Sequence, residues 1–211
     1  IERKDKITMF NKIFIILFLL PLFHLAQPSP QQIDSLIFGE TKRLRSGAQY
    51  EKLLAVSLEI IKKSKTIGYQ KGETWGYARQ ANALSTLGKH KESLDVLKKA
   101  KTLSENIDDD YLKTIIILET GRNYNETKIF TQAIEQFTHG EKLAHNIKDK
   151  KNQKSALLYA YQNLASAHWN NNQTAISMKY MWKSNSLEES AYNLAFITYY
   201  HINETKNKDS I

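Results

Sequence analysis

The chain has 211 residues, 41% of them hydrophobic, with 11 Tyr and 8 Phe, which is enough apolar material for one packed domain or a short array of repeats and too much for a disordered chain. Its formal charge is +8, but the 30 Lys and Arg are scattered among 22 Asp and Glu, so a diffuse basic surface is expected rather than a nucleic-acid site. Cysteine is absent, which excludes disulfides, thiol catalysis and thiolate-bound metals.

Residues 1–8, "IERKDKIT", precede Met9 and read as an upstream extension. Residues 9–26 have the form of a secretory signal peptide: Lys12, an apolar run from Ile13 to Phe23, and a cleavage point after Ala26. Those eleven residues span about 16 Å as a helix, roughly half a bilayer core, so the run is short for a membrane span. Residues 27–32, with Pro28 and Pro30, read as a linker. An exported protein is therefore expected, periplasmic or held facing the periplasm by an uncleaved leader. No proline follows Pro30, and nearly continuous helix is expected over residues 33–200, before a truncated tail at 201–211.

A forty-residue period runs through that region. The segments from Tyr50, His90 and Phe130 align without gaps. Leu54, Leu94 and Ile134 share one column, Ser57, Leu97 and Phe137 another, and Ile60, Ala100 and Gly140 a third, with Ile67, Ile107 and Ile147 closing each unit. A second helix precedes each segment, placing Tyr77 with Ile117, Ala81 with Gly121 and Leu84 with Tyr124. In the third such helix Leu164, Ala165 and His168 take the equivalent places, offset by four residues. The apolar spacing is i, i+3, i+4, i+7, a helical stripe throughout. Gly121 and Gly140, each worth about 1 kcal/mol against a helix relative to Ala, fall where two helices are expected to cross closely.

These columns resemble the tetratricopeptide repeat. One repeat carries the pattern as Ile117, Thr120-Gly121, Tyr124, Ala133, Phe137 and Gly140, and the one before it as Tyr77, Gln80-Ala81, Leu84, Ser93, Leu97 and Ala100. The departures are a missing Trp at the first signature site, no Pro ending the second helix, and forty residues per unit instead of thirty-four. The resemblance implies an all-α fold, a right-handed α-α superhelix of about four helix-turn-helix repeats with the last incomplete. The longer unit, with connectors "IGYQKGE", "IDDDYLK" and "IKDKKNQ", is similar to that of extracytoplasmic repeat regions in bacterial membrane regulators. "LEESAYNLAFITYY" resembles the first helix of a further repeat, leaving Leu194, Phe196 and Tyr199 to be covered.

No catalytic constellation is legible. His139 and His145 do not share a helical face, His90 and His168 sit in aromatic columns, and Asp108-Asp109-Asp110 lacks the spacing of a calcium loop and reads as a charged turn before a helix. No cofactor, metal or enzymatic activity is expected. The tetratricopeptide resemblance implies instead a protein or peptide partner held in a concave groove. Carried over onto this chain, the groove positions are Trp75, Ala78, Asn82, Ser85 and Thr86, then Ile115, Leu118, Arg122, Asn125 and Glu126, then Tyr159, Gln162, Ser166, Trp169 and Asn170. Trp75, Asn82, Arg122, Asn125, Tyr159, Gln162 and Trp169 are the expected contacts, apolar anchors and hydrogen-bonding groups. Only Arg122 is a cation among those positions, so a clamp for two carboxylates is not expected. Two functions follow: an exported scaffold for protein–protein interaction, or the extracytoplasmic sensor part of a truncated membrane signalling protein with a helix-turn-helix or histidine-kinase output. Neither involves direct nucleic-acid binding by these residues, and membrane association would come through the leader or a missing C-terminal span.

Overall fold

The computed structural model describes residues 27–189 together with Leu194, Ile197 and Thr198. The leader at 9–26, the tail at 201–211, Phe196 and Tyr199 lie outside the described residues. Every regular element described is helical.

The first helix, α1, covers residues 30–46 as three abutting pieces: Pro30–Ser35, a π-helical turn Leu36–Glu40, and Thr41–Ser46. It starts inside the stretch read as a linker, for a local reason. Ser29 and Gln32 form a reciprocal capping box, and Pro30 at the first helical position surrenders an amide that would have had no partner there. In the π turn the Thr41 amide bonds to Leu36 O, and the Thr41 hydroxyl donates to Ile37 O at 2.5 Å.

There follow α2 (Tyr50–Thr66), α3 (Gln70–Thr86), α4 (His90–Ser104), α5 (Asp110–Glu126), α6 (Phe130–Ala144), α7 (Lys150–Asn170) and α8 (Thr174–Leu187). Each packs on its neighbours in sequence, and α1, α3, α5 and α7 also touch one another in succession. The result is an all-α repeat solenoid of helix pairs. The helices α2, α4 and α6 begin at Tyr50, His90 and Phe130, the residues at which the sequence segments align. The helices α3 and α5 begin about one turn earlier than their apolar stripe, so much of each connector is helix. Asp109 and Asp149 cap α5 and α7 by accepting from the amides of Leu112 and Asn152, at 2.9 and 2.8 Å.

The turn inside each pair repeats. Ala48, Gly88, Lys128 and Asn172 all adopt positive φ, and the next residue's amide returns to the carbonyl of Leu44, Leu84, Tyr124 or His168 at 2.8–2.9 Å. The first three stand forty apart and the fourth forty-four. Since α3, α5 and α7 start at Gln70, Asp110 and Lys150, forty apart, the four-residue offset read in the sequence is an extra turn inside α7.

Small residues sit at the crossings. The Ser93 hydroxyl donates to Ala81 O at 2.8 Å and the Ser177 hydroxyl to Ala165 O at 2.7 Å, both across the pair. Between those two crossings, Gly121 lies against the Phe137 ring, where an added Cβ would stand 2.7 Å from two ring carbons. A Cβ on Gly140 would collide with Cγ and Cδ2 of Leu118, which is fully buried. Both glycines therefore sit in unbroken helix, as contacts. Ile197 is buried against Ala165, Met178 and Met181, while Leu194 is 43% exposed. Gly140→Ala should gain up to about 1 kcal/mol of helix propensity yet lose about 1–3 kcal/mol to overpacking. Denaturant unfolding is expected to show a net loss; a more stable variant would mean that the crossing is looser than described.

Candidate functional site

The forty-residue columns of the odd-numbered helices converge on one cleft of about 440 Å³. Arg79, Glu119 and Tyr159 line it from α3, α5 and α7, and Asn82, Arg122 and Gln162 do so three residues further on. Arg45 of α1 lines the same cleft, so four helices curve around a shared space and their common face is concave.

Glu119 organises the centre. It is 2% exposed, accepts from Asn82 Nδ2 at 2.9 and 3.1 Å, and pairs with Arg122 Nε at 3.0 Å. Arg122 also reaches α3, with Nη1 to the Thr86 hydroxyl at 3.1 Å and Nη2 to Asn82 O at 3.0 Å, while Nη1 lies 4.0 Å from Glu126 of its own helix. Burial by itself would lower the Arg122 pKa, but the adjacent Glu119 carboxylate outweighs it and holds the guanidinium above its ordinary value. Tyr159 is pushed up first by burial and then by the Glu119 charge, so its phenol stays a neutral donor.

Arg79 is in the opposite situation. It is 6% exposed, its guanidinium lies 4.7 Å from the Trp75 ring centroid, and its Nε has no hydrogen-bond partner. Arg45 Nε is likewise buried and unpaired. Burial, followed by the like charge of Arg45, lowers Arg79 to about 10. At neutral pH Arg79 remains a cation, since even the lowered value lies far above 7.

The expected contacts divide accordingly. Tyr159 and Gln162 line the cleft, Gln162 on an exposed position. Asn82 and Arg122 line it too, but their donors are committed to the tie between α3 and α5. Trp75 does not reach the surface: it is 0% exposed, with Phe38 of α1 edge-on at 5.3 Å and Tyr111 tilted at 5.6 Å. Its groove assignment is corrected to core, because α1 covers the face that the repeat pattern alone leaves open. Ala78, Ile115 and Leu118 are also buried. Asn125, Trp169 and Asn170 are not among the cleft residues; Asn170 approaches Asn125 at 3.5 Å, and Trp169 is 42% exposed near the end of the extra turn.

Sequence reasoning missed Arg45, Arg79 and Glu119. The signal for two of them was present, since Arg79, Glu119 and Tyr159 stand forty apart. Aligning α7 by its end rather than its start hid that column. The expectation of a single groove cation is corrected as well: Arg45 and Arg79 join Arg122 there. Among the described residues no cluster of His, Asp and Glu could hold a metal ion, and no helix is long and apolar enough to cross a membrane.

Glu119→Gln removes the counter-charge of a largely buried guanidinium and is expected to cost about 3 kcal/mol in urea unfolding. A loss under about 1 kcal/mol would place the pair among exposed ion pairs and remove Glu119 from the centre of the site.

No family model matches the chain, and no curated protein does. Among solved structures it is similar to the crystal structure of BtubC (BKLC) from P. vanneervenii, at 14% identity and a TM-score of 0.57, covering 72% of this chain and 66% of that one. The chain thus spans just under two thirds of that protein's length, and the likeness is one of all-helical, repeat-like fold alone.

Proposed function

We propose that the chain is a tetratricopeptide-type scaffold that holds a protein or peptide segment in the concave cleft and catalyses nothing. The single observation that carries this is the cleft itself, one concavity built from equivalent positions of successive repeats, Arg79, Glu119 and Tyr159 above all. A right-handed superhelix accompanies this proposal. The size pattern at the crossings, with Ala81 over Ser93 and Gly121 against Phe137, supports the family assignment. Gln162 offers the ligand an exposed amide, and the Tyr159 phenol, which interacts with Glu119, gives a polar wall beside it.

The apolar leader at residues 9–26 favours a second element, export with the scaffold facing the periplasm, either free or as the sensing part of a membrane signalling protein. Alkaline phosphatase joined after residue 189 would be active in that case; an inactive fusion at normal abundance would overturn export.

Peptides selected on the purified protein from a random display library should bind Gln162→Ala and Tyr159→Ala at least about tenfold more weakly, a loss of roughly 1.4 kcal/mol or more, with helicity retained. Failure to select any peptide, or peptides indifferent to both substitutions, would sink the cleft as the binding site.

A further inference from the structure

Arg45 and Arg79 stand between two concavities. On their far side from Glu119 lies a second cleft of about 430 Å³, where Lys42 joins Arg45 from α1 and Lys151 joins from α7, with the rings of Phe38 and Tyr111 as walls. Four cations face one space, and among the described residues none that lines it is acidic. The nearest carboxylate in the neighbouring cleft, Glu119, has its oxygens occupied by Asn82 and Arg122.

Burying a cation without a partner is costly, and burying two side by side adds their mutual repulsion. Nε of Arg79 and Nε of Arg45 are both shielded from water and both unpaired. Arg79 is held over the Trp75 ring at 4.7 Å, which fixes the plane of its guanidinium instead of letting it swing out to solvent. Such an arrangement relaxes when an oxyanion accepts from both forks. A carboxylate supplies one negative charge to this set of four cations, whereas a phosphate monoester supplies close to two and a third acceptor oxygen.

We infer that the Lys42, Arg45, Arg79 and Lys151 cluster is a binding site for a phosphate-monoester dianion. It deepens the scaffold proposal and rests on that reading only for the source of the phosphate, a phosphorylated side chain of a bound peptide or a free phosphate ester. Tyr111 and Ser155 line both clefts, so a peptide lying along Tyr159 would pass directly beside the site. The anion bonds to the two guanidinium forks, and the exposed Lys42 and Lys151 draw it in through longer-range attraction that salt screens.

The test is calorimetric titration of the purified protein with phenyl phosphate, with benzoate as the monoanionic control, in phosphate-free buffer at low salt. Phenyl phosphate is expected to bind at least about tenfold more tightly than benzoate, and to lose at least about tenfold in Arg79→Gln and in Arg45→Gln. Lys42→Gln/Lys151→Gln alters only exposed positions and should weaken binding several-fold while flattening its salt dependence; it carries the test if an arginine variant does not fold. Absence of phenyl phosphate binding, parity with benzoate, or affinities untouched by these substitutions overturns the site. Library peptides carrying phosphoserine that bind at least about tenfold more tightly than phenyl phosphate identify the source as a peptide, and parity between the two identifies a free ester. If unphosphorylated peptides occupy the cleft while phenyl phosphate does not bind, the phosphate site is wrong and the scaffold proposal stands.

Discussion

Where Phe137 lies against Gly121, no room remains for a methyl group between two helices, and the rest of the molecule follows from that closeness. The neighbouring pairs meet the same demand with alanine and a serine hydroxyl bonded to the facing carbonyl, at Ala81 and Ser93 and again at Ala165 and Ser177. Helices that approach this closely cannot slide, because ridges on one fill grooves on the other. The crossing therefore fixes how each odd-numbered helix is turned, which in turn aims Arg79, Glu119 and Tyr159 at a common space.

Electrostatics then distinguishes two halves of that space. Around Glu119 every charge is answered: Asn82 and Arg122 are bonded to it, and Arg122 reaches back to the backbone of α3. This tie joins successive repeats rather than the two helices of one repeat, and stacking of neighbours is what stabilises a solenoid. At Arg45 and Arg79 each Nε is buried without a hydrogen-bond partner. A fold that tolerates such a pair has enough packing elsewhere to carry it, and Trp75, wedged among Phe38, Tyr111 and Arg79, provides part of that packing.

Much of the fold was legible because size preferences recur at a fixed spacing. The starts of α2, α4 and α6 could be read from Tyr50, His90 and Phe130, and the role of Gly121 from its column. The site was less legible, and the reasons are particular. Trp75 occupies a groove position by periodicity, yet α1, the preceding helix on that face, lays Phe38 over it. Nothing in "LIFGE" announces a π turn, since that geometry answers to packing rather than to composition. Asn82 and Arg122 were read as donors for a ligand because the sequence cannot say that Glu119 has already claimed them. Pair interactions forty residues apart become visible only once the repeats are stacked.

The extra turn in α7 makes the array behave like a crystal row with a dislocation. Four added residues advance a helix by about 6 Å and about 40° beyond a full revolution. The first part of α7 keeps phase with α3 and α5 and completes the cleft through Tyr159 and Gln162. The last part, carrying Ala165 and His168, is out of phase with them, and α8 docks on that rotated portion. Any unit stacked beyond α8 inherits the rotation, so its inner face would not extend the same channel. The phase slip sets the length over which the inner face repeats equivalent positions, and that length ends within α7.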